Sequence, residues 1–339
     1  MGPPLQLPPK FLYLEINSRC NLACKHCLFW RNDDNDRDRW LPAAVRADVI
    51  AEFTALGGRT LVTCGGEPML DLGDYFEIAR LARVNGLRFF SVSNGSMVDE
   101  ALAERIIAEG PDEITISLDG LQETHDHARG TPGSFEQVMR ALRLSVKFRN
   151  RAGSPKRIYA MTILCERNLP DLDALYQLVL RDIGADKLKL NILQPSFGLP
   201  GEYDDVVYAK QLVRNTGTLR ATIEACDRKY SLGVNPVWLD QVVMYHDSMH
   251  AGGQVRRGWQ AAGTSAHICG TYDRNIMLDR YGVARLCFSH EFPGARLESG
   301  SDLRAFWEGW DDTRARMRQC NRPCGISHSV RRESATIRR

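Results

Sequence analysis

Six short apolar runs alternate with stretches of helical period between residue 11 and about residue 192, and this order constrains the fold more than any other feature. Such an alternation is typical of βα units arranged around a parallel sheet. The predicted strands span residues 11–16, 59–63, 88–92, 113–118, 157–164 and 187–192. The sequence therefore predicts an α/β fold that contains a partial (β/α)6, TIM-like barrel.

Local signals at the helix ends agree with this alternation. Pro42 is placed to begin one helix, and Gly86 is placed to end another. The four residues from Ser134 to Gln137 have the pattern of a capping box at the start of a third helix.

Composition narrows the class of protein and its partners. With 43% hydrophobic residues in 339, the chain can bury a sizeable core. The formal charge of +2, from 44 basic and 42 acidic residues, gives no reason to expect nucleic acid or an anionic membrane as a partner. No signal peptide or membrane span is evident, so we expect a cytoplasmic protein whose ten cysteines are metal ligands more often than disulfides.

Polar and glycine-rich residues follow the first four predicted strands, at the point where each strand ends. The groups are Cys20, Cys24 and Cys27 after the first strand, Gly65-Gly66-Glu67-Pro68 after the second, Ser93-Asn94-Gly95 after the third and Ser117-Leu118-Asp119-Gly120 at the fourth. The carboxyl ends of barrel strands form one face, and in TIM-type barrels that face carries the active site. The sequence therefore predicts a single site made from residues far apart in the chain.

The spacing of the first three cysteines, C-x3-C-x2-C, suggests an iron-sulfur cluster with an open position. Clusters of this kind are usually held by four cysteines, so three leave one iron without a protein ligand. Two simpler interpretations are a zinc knuckle and a thioredoxin-like pair formed by Cys24 and Cys27.

This spacing, with His26 directly before the last cysteine, resembles the signature of the radical S-adenosylmethionine (radical SAM) superfamily. The resemblance implies that the open iron of a 4Fe-4S cluster binds SAM. One electron then cleaves the sulfonium, and the resulting 5′-deoxyadenosyl radical abstracts a hydrogen atom from the substrate.

The resemblance also implies which residues contact SAM. They are His26 beside the last cysteine, Gly65, Gly66 and Glu67 near the methionine part, Ser93 and Asn94 near the ribose, and Ser117 with Arg129 near the carboxylate. Purely structural roles stay open for three of these residues. Glu67 could cap a helix, Asn94 could belong to an ordinary Asn-Gly turn, and Arg129 could lie in a surface loop. In the same predicted loop, His125 and His127 are expected to be solvated.

Four further cysteines lie beyond residue 230, where the βα alternation fades. Cys269, Cys287, Cys320 and Cys324 resemble the ligands of a small twitch or SPASM-type module, which implies an auxiliary 4Fe-4S cluster. A structural zinc site is the alternative, since four cysteines also suit zinc. We accordingly divide the chain into a barrel, residues 1–230, and an auxiliary-cluster domain, residues 231–339.

The leading functional hypothesis is a radical SAM enzyme that acts on a small polar metabolite, such as a sugar, aminocyclitol or nucleoside, in a biosynthetic pathway. The auxiliary cluster would favour oxidation, and an external low-potential donor of the flavodoxin or ferredoxin type would supply electrons. Maturation of a ribosomally made peptide is the first alternative, although the arm before Cys20 is too short for a leader-binding domain. A non-catalytic zinc or redox-sensing module is the second.

Overall fold

The computed structural model describes residues 7–27, 29–31, 39–193, 211–250, 270–288 and 292–318. Three of the four cysteines predicted to bind an auxiliary cluster, Cys269, Cys320 and Cys324, lie outside these ranges. Among the described residues, no helix combines the length and the apolar character that crossing a bilayer requires.

Six parallel strands occur where the sequence predicts them. They are β1 (Phe11–Asn17), β2 (Thr60–Gly65), β3 (Arg88–Ser93), β4 (Glu113–Ser117), β5 (Arg157–Leu164) and β6 (Lys187–Ile192). Each pairs in parallel with the next, and the strand order runs linearly from β6 to β1. The predicted α/β fold with an open, partial barrel is confirmed.

Helices connect these strands on the outside of the sheet. They are α1 (Ala43–Ala55), α2 (Leu72–Val84), α3 (Glu100–Glu109), α4 (Gln122–Arg129), α5 (Ser134–Arg151) and α6 (Leu172–Tyr176), which continues as a π-helical segment over Gln177–Asp182. Pro42 is the N-cap of α1, and Gly86, with a φ of +67°, follows the end of α2. Both predicted helix ends are therefore confirmed.

The predicted capping box at Ser134 is wrong. Helix α5 begins at Ser134 with Gly133 as its N-cap, and no side chain of the N-cap residue closes it. Instead, Asp126 of α4 accepts hydrogen bonds from the backbone N–H groups of Gly133 (2.9 Å) and Phe135 (2.8 Å). The preceding helix thus supplies the acceptor that the first turn of α5 needs.

The chain beyond residue 210 adds further helices and extends the same sheet. Its elements are α7 (Thr216–Tyr230), α8 (Pro236–His250), β7 (Asn275–Leu278), β8 (Val283–Arg285), β9 (Ala295–Arg296), α9 (Gly300–Gly309) and α10 (Asp311–Arg318). Strand β7 pairs in parallel with β1, in a register that joins Phe11 to Asn275, and β8 and β9 follow in antiparallel pairing. The division of the chain at residue 230 stays a prediction.

Side chains alternate between the two faces of each strand, and this alternation separates core from cavity. On β1, Leu12, Leu14 and Ile16 belong to the hydrophobic core. Phe11 and Tyr13, on the opposite face, line a cavity that the curved sheet surrounds. We call this space inside the curve of the sheet the lumen.

Candidate active site at the carboxyl ends of the strands

The predicted site residues of the barrel converge on one cavity of about 140 Å³ at the carboxyl ends of the strands. All eleven line it: Cys20, Cys24, His26, Cys27, Gly65, Gly66, Glu67, Ser93, Asn94, Ser117 and Arg129. They come from five separate segments of the chain, as the barrel topology predicts. Their roles in binding a cofactor stay predictions.

Gly66 allows the end of β2 to meet the cysteine loop, which we define as residues 19–27. A Cβ atom on Gly66 would lie 1.9 Å from the carbonyl oxygen of Arg19. The N–H of Glu67 donates to that same oxygen at 2.7 Å, and the N–H of Gly66 donates to the oxygen of Asn17 at 2.9 Å. The missing side chain of Gly66 is thus required for packing within the protein, before any cofactor is considered.

Gly130 packs against the opposite side of the cysteine loop. It has a φ of +63°, and a Cβ atom there would lie 2.2 Å from the carbonyl oxygen of Ala23. Next to this contact, the N–H of Lys25 donates to the carbonyl oxygen of Ala128 at 2.9 Å. The loop is therefore held between the turn after β2 and the end of α4.

Donor groups surround the thiols of the cysteine loop. Burial raises the pKa of Cys27 to about 12 and raises the pKa of Cys20, so ionising these thiols requires nearby positive charge. Arg129 Nη1 lies 3.6 Å from Cys24 Sγ, and Asn94 Nδ2 lies 3.8 Å from Cys20 Sγ. Arg129 lowers the pKa of Cys27, and the Asn94 contact lowers the pKa of Cys20, so both groups favour the thiolate form that binds iron.

An ion pair between Arg129 and Asp119 forms the buried floor of the site. The two side chains meet at 2.7 Å and are only 9% and 3% exposed. Burial opposes both charges, but the pair and its neighbours outweigh it, so the pKa of Asp119 is lowered and that of Arg129 is raised. Arg129 Nε is buried with no hydrogen-bond partner among the described residues. A bound anion at this guanidinium would satisfy it.

The surface-loop interpretation of Arg129 is wrong, and so is the expectation that His125 is solvated. Helix α4 carries His125 and Arg129 into the interior, and His125 is only 1% exposed. His125 Nδ1 accepts a hydrogen bond from the N–H of Asp119 at 3.0 Å. Burial, and then Arg129, lower the pKa of His125 to about 4, so the ring is neutral. Only His127 fits the expectation of an exposed histidine, beside Lys25.

Asp119 is a buried partner of Arg129 for which the sequence analysis predicts no role. Its Oδ1 atom accepts from the N–H of Ile163 at 3.0 Å, and its carbonyl oxygen accepts from Asn168 Nδ2 at 2.8 Å. The residue therefore ties β4, β5 and α4 together beneath Arg129. Its position at the carboxyl end of β4 was the available signal.

Hydrogen bonds to the Glu67 carboxylate connect the end of β3 to the glycine-rich turn. Its Oε1 accepts from the Ser93 hydroxyl at 2.8 Å and from the N–H of Met69 at 3.1 Å, and its Oε2 accepts from the N–H of Asn94 at 2.7 Å. The bond to Met69 caps a short 3-10 helix, so Glu67 is a helix cap as well as a partner of β3. Burial raises the pKa of Glu67 against these bonds.

His26 and Asn94 complete the cysteine side of the cavity. Burial lowers the pKa of His26 to about 4, which Asp119 opposes and Arg129 assists, so its ring is neutral beside the thiols. Asn94 Nδ2 donates to Asn21 Oδ1 at 3.0 Å and thereby attaches β3 to the cysteine loop.

In the C-terminal region, the described structure contains Cys287 alone of the predicted auxiliary ligands. Cys287 is half-buried and comes two residues after the end of β8. Within the parts of the chain that the structure describes, no group of three or more His, Cys, Asp or Glu side chains is placed to hold a single metal ion. The auxiliary cluster is therefore untested, as is its zinc alternative.

A larger cavity of about 800 Å³ occupies the lumen on the amino-terminal side of the site. Val92, Met161 and Asn191 line both cavities, so the two spaces meet at these side chains. The arrangement offers a small, cysteine-lined cavity for a cofactor and an adjoining wide space for a substrate.

Comparison with known proteins identifies the barrel. The model of the Radical SAM superfamily matches residues 14–179. The chain is 31% identical over 199 residues to an AdoMet-dependent heme synthase of Methanosarcina barkeri, covering 58% of this chain and 54% of the relative. It is 31% identical over 190 residues to the mycofactocin maturase MftC of Mycobacterium tuberculosis, covering 56% and 46%. The chain thus spans about half the length of these curated relatives.

Solved structures support the same fold. Streptococcus suis SuiB bound to S-adenosylmethionine aligns with a TM-score of 0.62 at 13% identity, covering 89% of this chain and 68% of SuiB. The protein anSMEcpe with bound AdoMet and a peptide aligns with a TM-score of 0.61 at 15% identity, covering 98% and 86%. At such identities the likeness shows the fold alone. The family match assigns a radical SAM superfamily domain to residues 14–179, and these structures agree with it in fold.

Proposed function

We propose that this protein is a radical SAM enzyme that abstracts hydrogen from a small polar metabolite held in the lumen. The single observation that carries the proposal is the convergence of three cysteines, the glycine-rich turn and Arg129 on one cavity. The sugar, aminocyclitol and nucleoside classes stay candidates, and the names of the relatives add heme-type molecules to them.

Cys20, Cys24 and Cys27 would hold a 4Fe-4S cluster, and the cavity that they line would hold SAM. When bound, these two groups supply reductive cleavage of the sulfonium and hydrogen abstraction. The protein's own residues would position the cofactor and shield the thiols from water. Arg129 offers its unpartnered Nε to an anionic group, while Asp119 fixes the guanidinium plane. Because the pKa of His26 is low, its neutral ring shields the thiols from water without adding charge.

An auxiliary 4Fe-4S cluster held by Cys269, Cys287, Cys320 and Cys324 is part of the proposal, as is the division of the chain into residues 1–230 and 231–339. The auxiliary cluster would take an electron from the substrate radical and thereby favour oxidation. A flavodoxin or ferredoxin-type donor would supply the electron for SAM cleavage.

Peptide maturation is the second candidate function. The match to MftC over 190 residues favours it, as does the fold shared with SuiB, which has been solved bound to its precursor peptide SuiA. A lumen of about 800 Å³ has room for a few peptide residues.

Anaerobic reconstitution tests the proposal. We expect about eight irons per chain with both clusters, and release of 5′-deoxyadenosine from SAM under a strong reductant. Cys24→Ala should abolish that release, whereas Cys226→Ala, at a buried thiol of α7, should leave it unchanged. A wild-type protein that binds only zinc, or that forms no deoxyadenosine, would refute the proposal.

A further inference from the structure

The inner faces of the strands give the lumen two chemically different walls. The first three strands contribute apolar and aromatic side chains: Phe11, Tyr13, Val62, Phe90 and Val92. The fourth and sixth strands contribute polar ones: Glu113, Thr115, Lys187, Lys189 and Asn191. A molecule with an apolar body and polar substituents would match both walls.

Positive charge is concentrated at the amino-terminal end of this lumen. Lys10 and Arg274 directly precede β1 and β7, Lys187 is the first residue of β6, and all three line the cavity with Lys189. We call Lys10, Lys187 and Arg274 the cationic rim. The concentration is local, because the whole chain has 44 basic and 42 acidic residues.

One carboxylate balances only one of these charges. Lys189 pairs with Glu113 and lies 3.3 Å from the hydroxyl of Thr115. Glu113 is the only acidic residue among the described side chains that line this cavity. No carboxylate of the described residues forms an ion pair with the cationic rim. The described residues of the lumen therefore carry a net positive charge that an incoming anion can neutralise.

We propose that the substrate of this lumen carries a carboxylate or phosphate group, which the cationic rim binds while the apolar body lies along β1–β3. That the ligand is a substrate rests on the proposed function. The inference narrows the proposed substrate class from small polar metabolites to acidic ones. Cationic aminocyclitols are disfavoured by the same charge.

The sheet also sets the length of such a molecule. Lys187 at the rim and Asn191 at the junction with the cysteine-lined cavity are four residues apart on β6, which corresponds to about 13 Å. An acidic group at the rim and a reacting carbon at the junction are therefore separated by roughly this distance. Small acids of three or four carbons are too short to bridge it.

A pair of fluorescent probes tests the charge preference without any radical chemistry. 8-Anilinonaphthalene-1-sulfonate and N-phenyl-1-naphthylamine share one aromatic body, and only the first is an anion. In the variant Lys187→Gln/Arg274→Gln, we expect the affinity for the anionic probe to fall about tenfold, and that for the neutral probe to stay within about twofold. The matched control Lys147→Gln/Lys229→Gln, at exposed residues on α5 and α7, should change neither affinity.

Equal affinities of wild type and rim variant for the anionic probe would overturn the proposal, and so would equal losses for both probes. If the rim variant fails to fold, a salt titration of the wild type tests the same proposal. Added salt should weaken binding of the anionic probe only, and equal salt responses would also overturn the proposal.

Displacement of the anionic probe separates the two acid classes. 1-Naphthoate, 1-naphthyl phosphate and neutral 1-naphthol share a ring, and tighter binding of either acid than of the naphthol supports the proposal and names the class. Equal displacement by all three compounds contradicts it. Because binding is measured without SAM, failure here is distinct from failure of the radical SAM assignment.

Discussion

The two ends of the barrel interior differ in how their charges are satisfied. At the carboxyl ends, the cavity is small, and its buried ions pair within the protein, as Arg129 does with Asp119. At the amino ends, the cavity is wide, and the cationic rim has no carboxylate partner among the described residues. The comparison teaches that the carboxyl end of the interior is organised by contacts within the protein, whereas the amino end leaves charge available for a ligand.

Among the variants that test this comparison, removal of the buried Asp119 carboxylate should have the largest effect on stability and activity. Asp119→Asn leaves the Arg129 charge uncompensated, so we expect stability to fall by about 3–5 kcal/mol. Deoxyadenosine formation should fall by about 100-fold because the guanidinium is no longer oriented. Urea unfolding and product analysis measure the two effects. Asp173→Asn, at an exposed pair with Lys229, is the control and should change neither. Wild-type behaviour of Asp119→Asn would show that the cofactor end does not depend on this pair.

The close approach of Gly130 to the cysteine loop gives the next largest effect. Gly130→Ala should cost about 2 kcal/mol or more and lower the iron bound per chain, because strain in φ is combined with contact to Ala23. Gly86→Ala is the matched control, since its φ of +67° is similar but nothing lies within 4 Å of the new Cβ. It should lose about 1 kcal/mol and bind iron normally. Equal iron contents in the two variants would contradict the packing role of Gly130.

Acid should weaken the cofactor end through His125. Its pKa is about 4 in the folded protein and 6.5 in the unfolded chain, so the unfolded chain binds the proton first as pH falls. Stability is therefore complete above pH 6.5 and is lost between about pH 6.5 and 4, by on the order of 1 kcal/mol at pH 5.5. Urea unfolding at pH 7.5 and 5.5 measures this loss. In His125→Asn the pH-dependent loss should shrink by that amount, and an unchanged loss would exclude His125 as its source.

The hydroxyl of Ser93 should give the smallest effect. Ser93→Ala removes the bond to Glu67, and we expect about 1 kcal/mol of lost stability and about a threefold rise in the Kd for SAM. Equilibrium dialysis of the reconstituted protein measures the Kd. A rise well above tenfold at unchanged stability would instead indicate direct contact with the cofactor, which would sharpen the role predicted for this residue.

Much of the fold was predictable because each strand and helix has its own local pattern. The six strands lie within two residues of their predicted positions, and β5 and β6 match theirs. The convergence of the cysteines with Gly66 and Ser117 followed from the barrel topology, whereas the place of Arg129 came from the family resemblance. The roles of these residues came from the family resemblance and stay predictions.

Side-chain partnerships between elements were not predictable. Asp119 and Arg129 lie on different elements, and no periodicity records that they form an ion pair. The burial of His125 was not predictable for the same reason. Its polar neighbours in the sequence indicated an exposed side chain, but the packing of α4 buries it. The same reason also explains the capping box, since Asp126 of the preceding helix replaces the local cap. The predicted ligands of the C-terminal cluster lie mainly outside the described ranges.

The parallel pairing of β1 with β7 has a consequence for the order of assembly during synthesis. Phe11 is bonded in register with Asn275, so the strand that leads into the cysteines gains its second neighbour only after residues 275–278 have emerged from the ribosome. Contacts this distant in sequence form late in folding. Iron loading of the cysteine loop would then follow synthesis of the chain through residue 278, and a nascent chain arrested before that point would take up metal poorly.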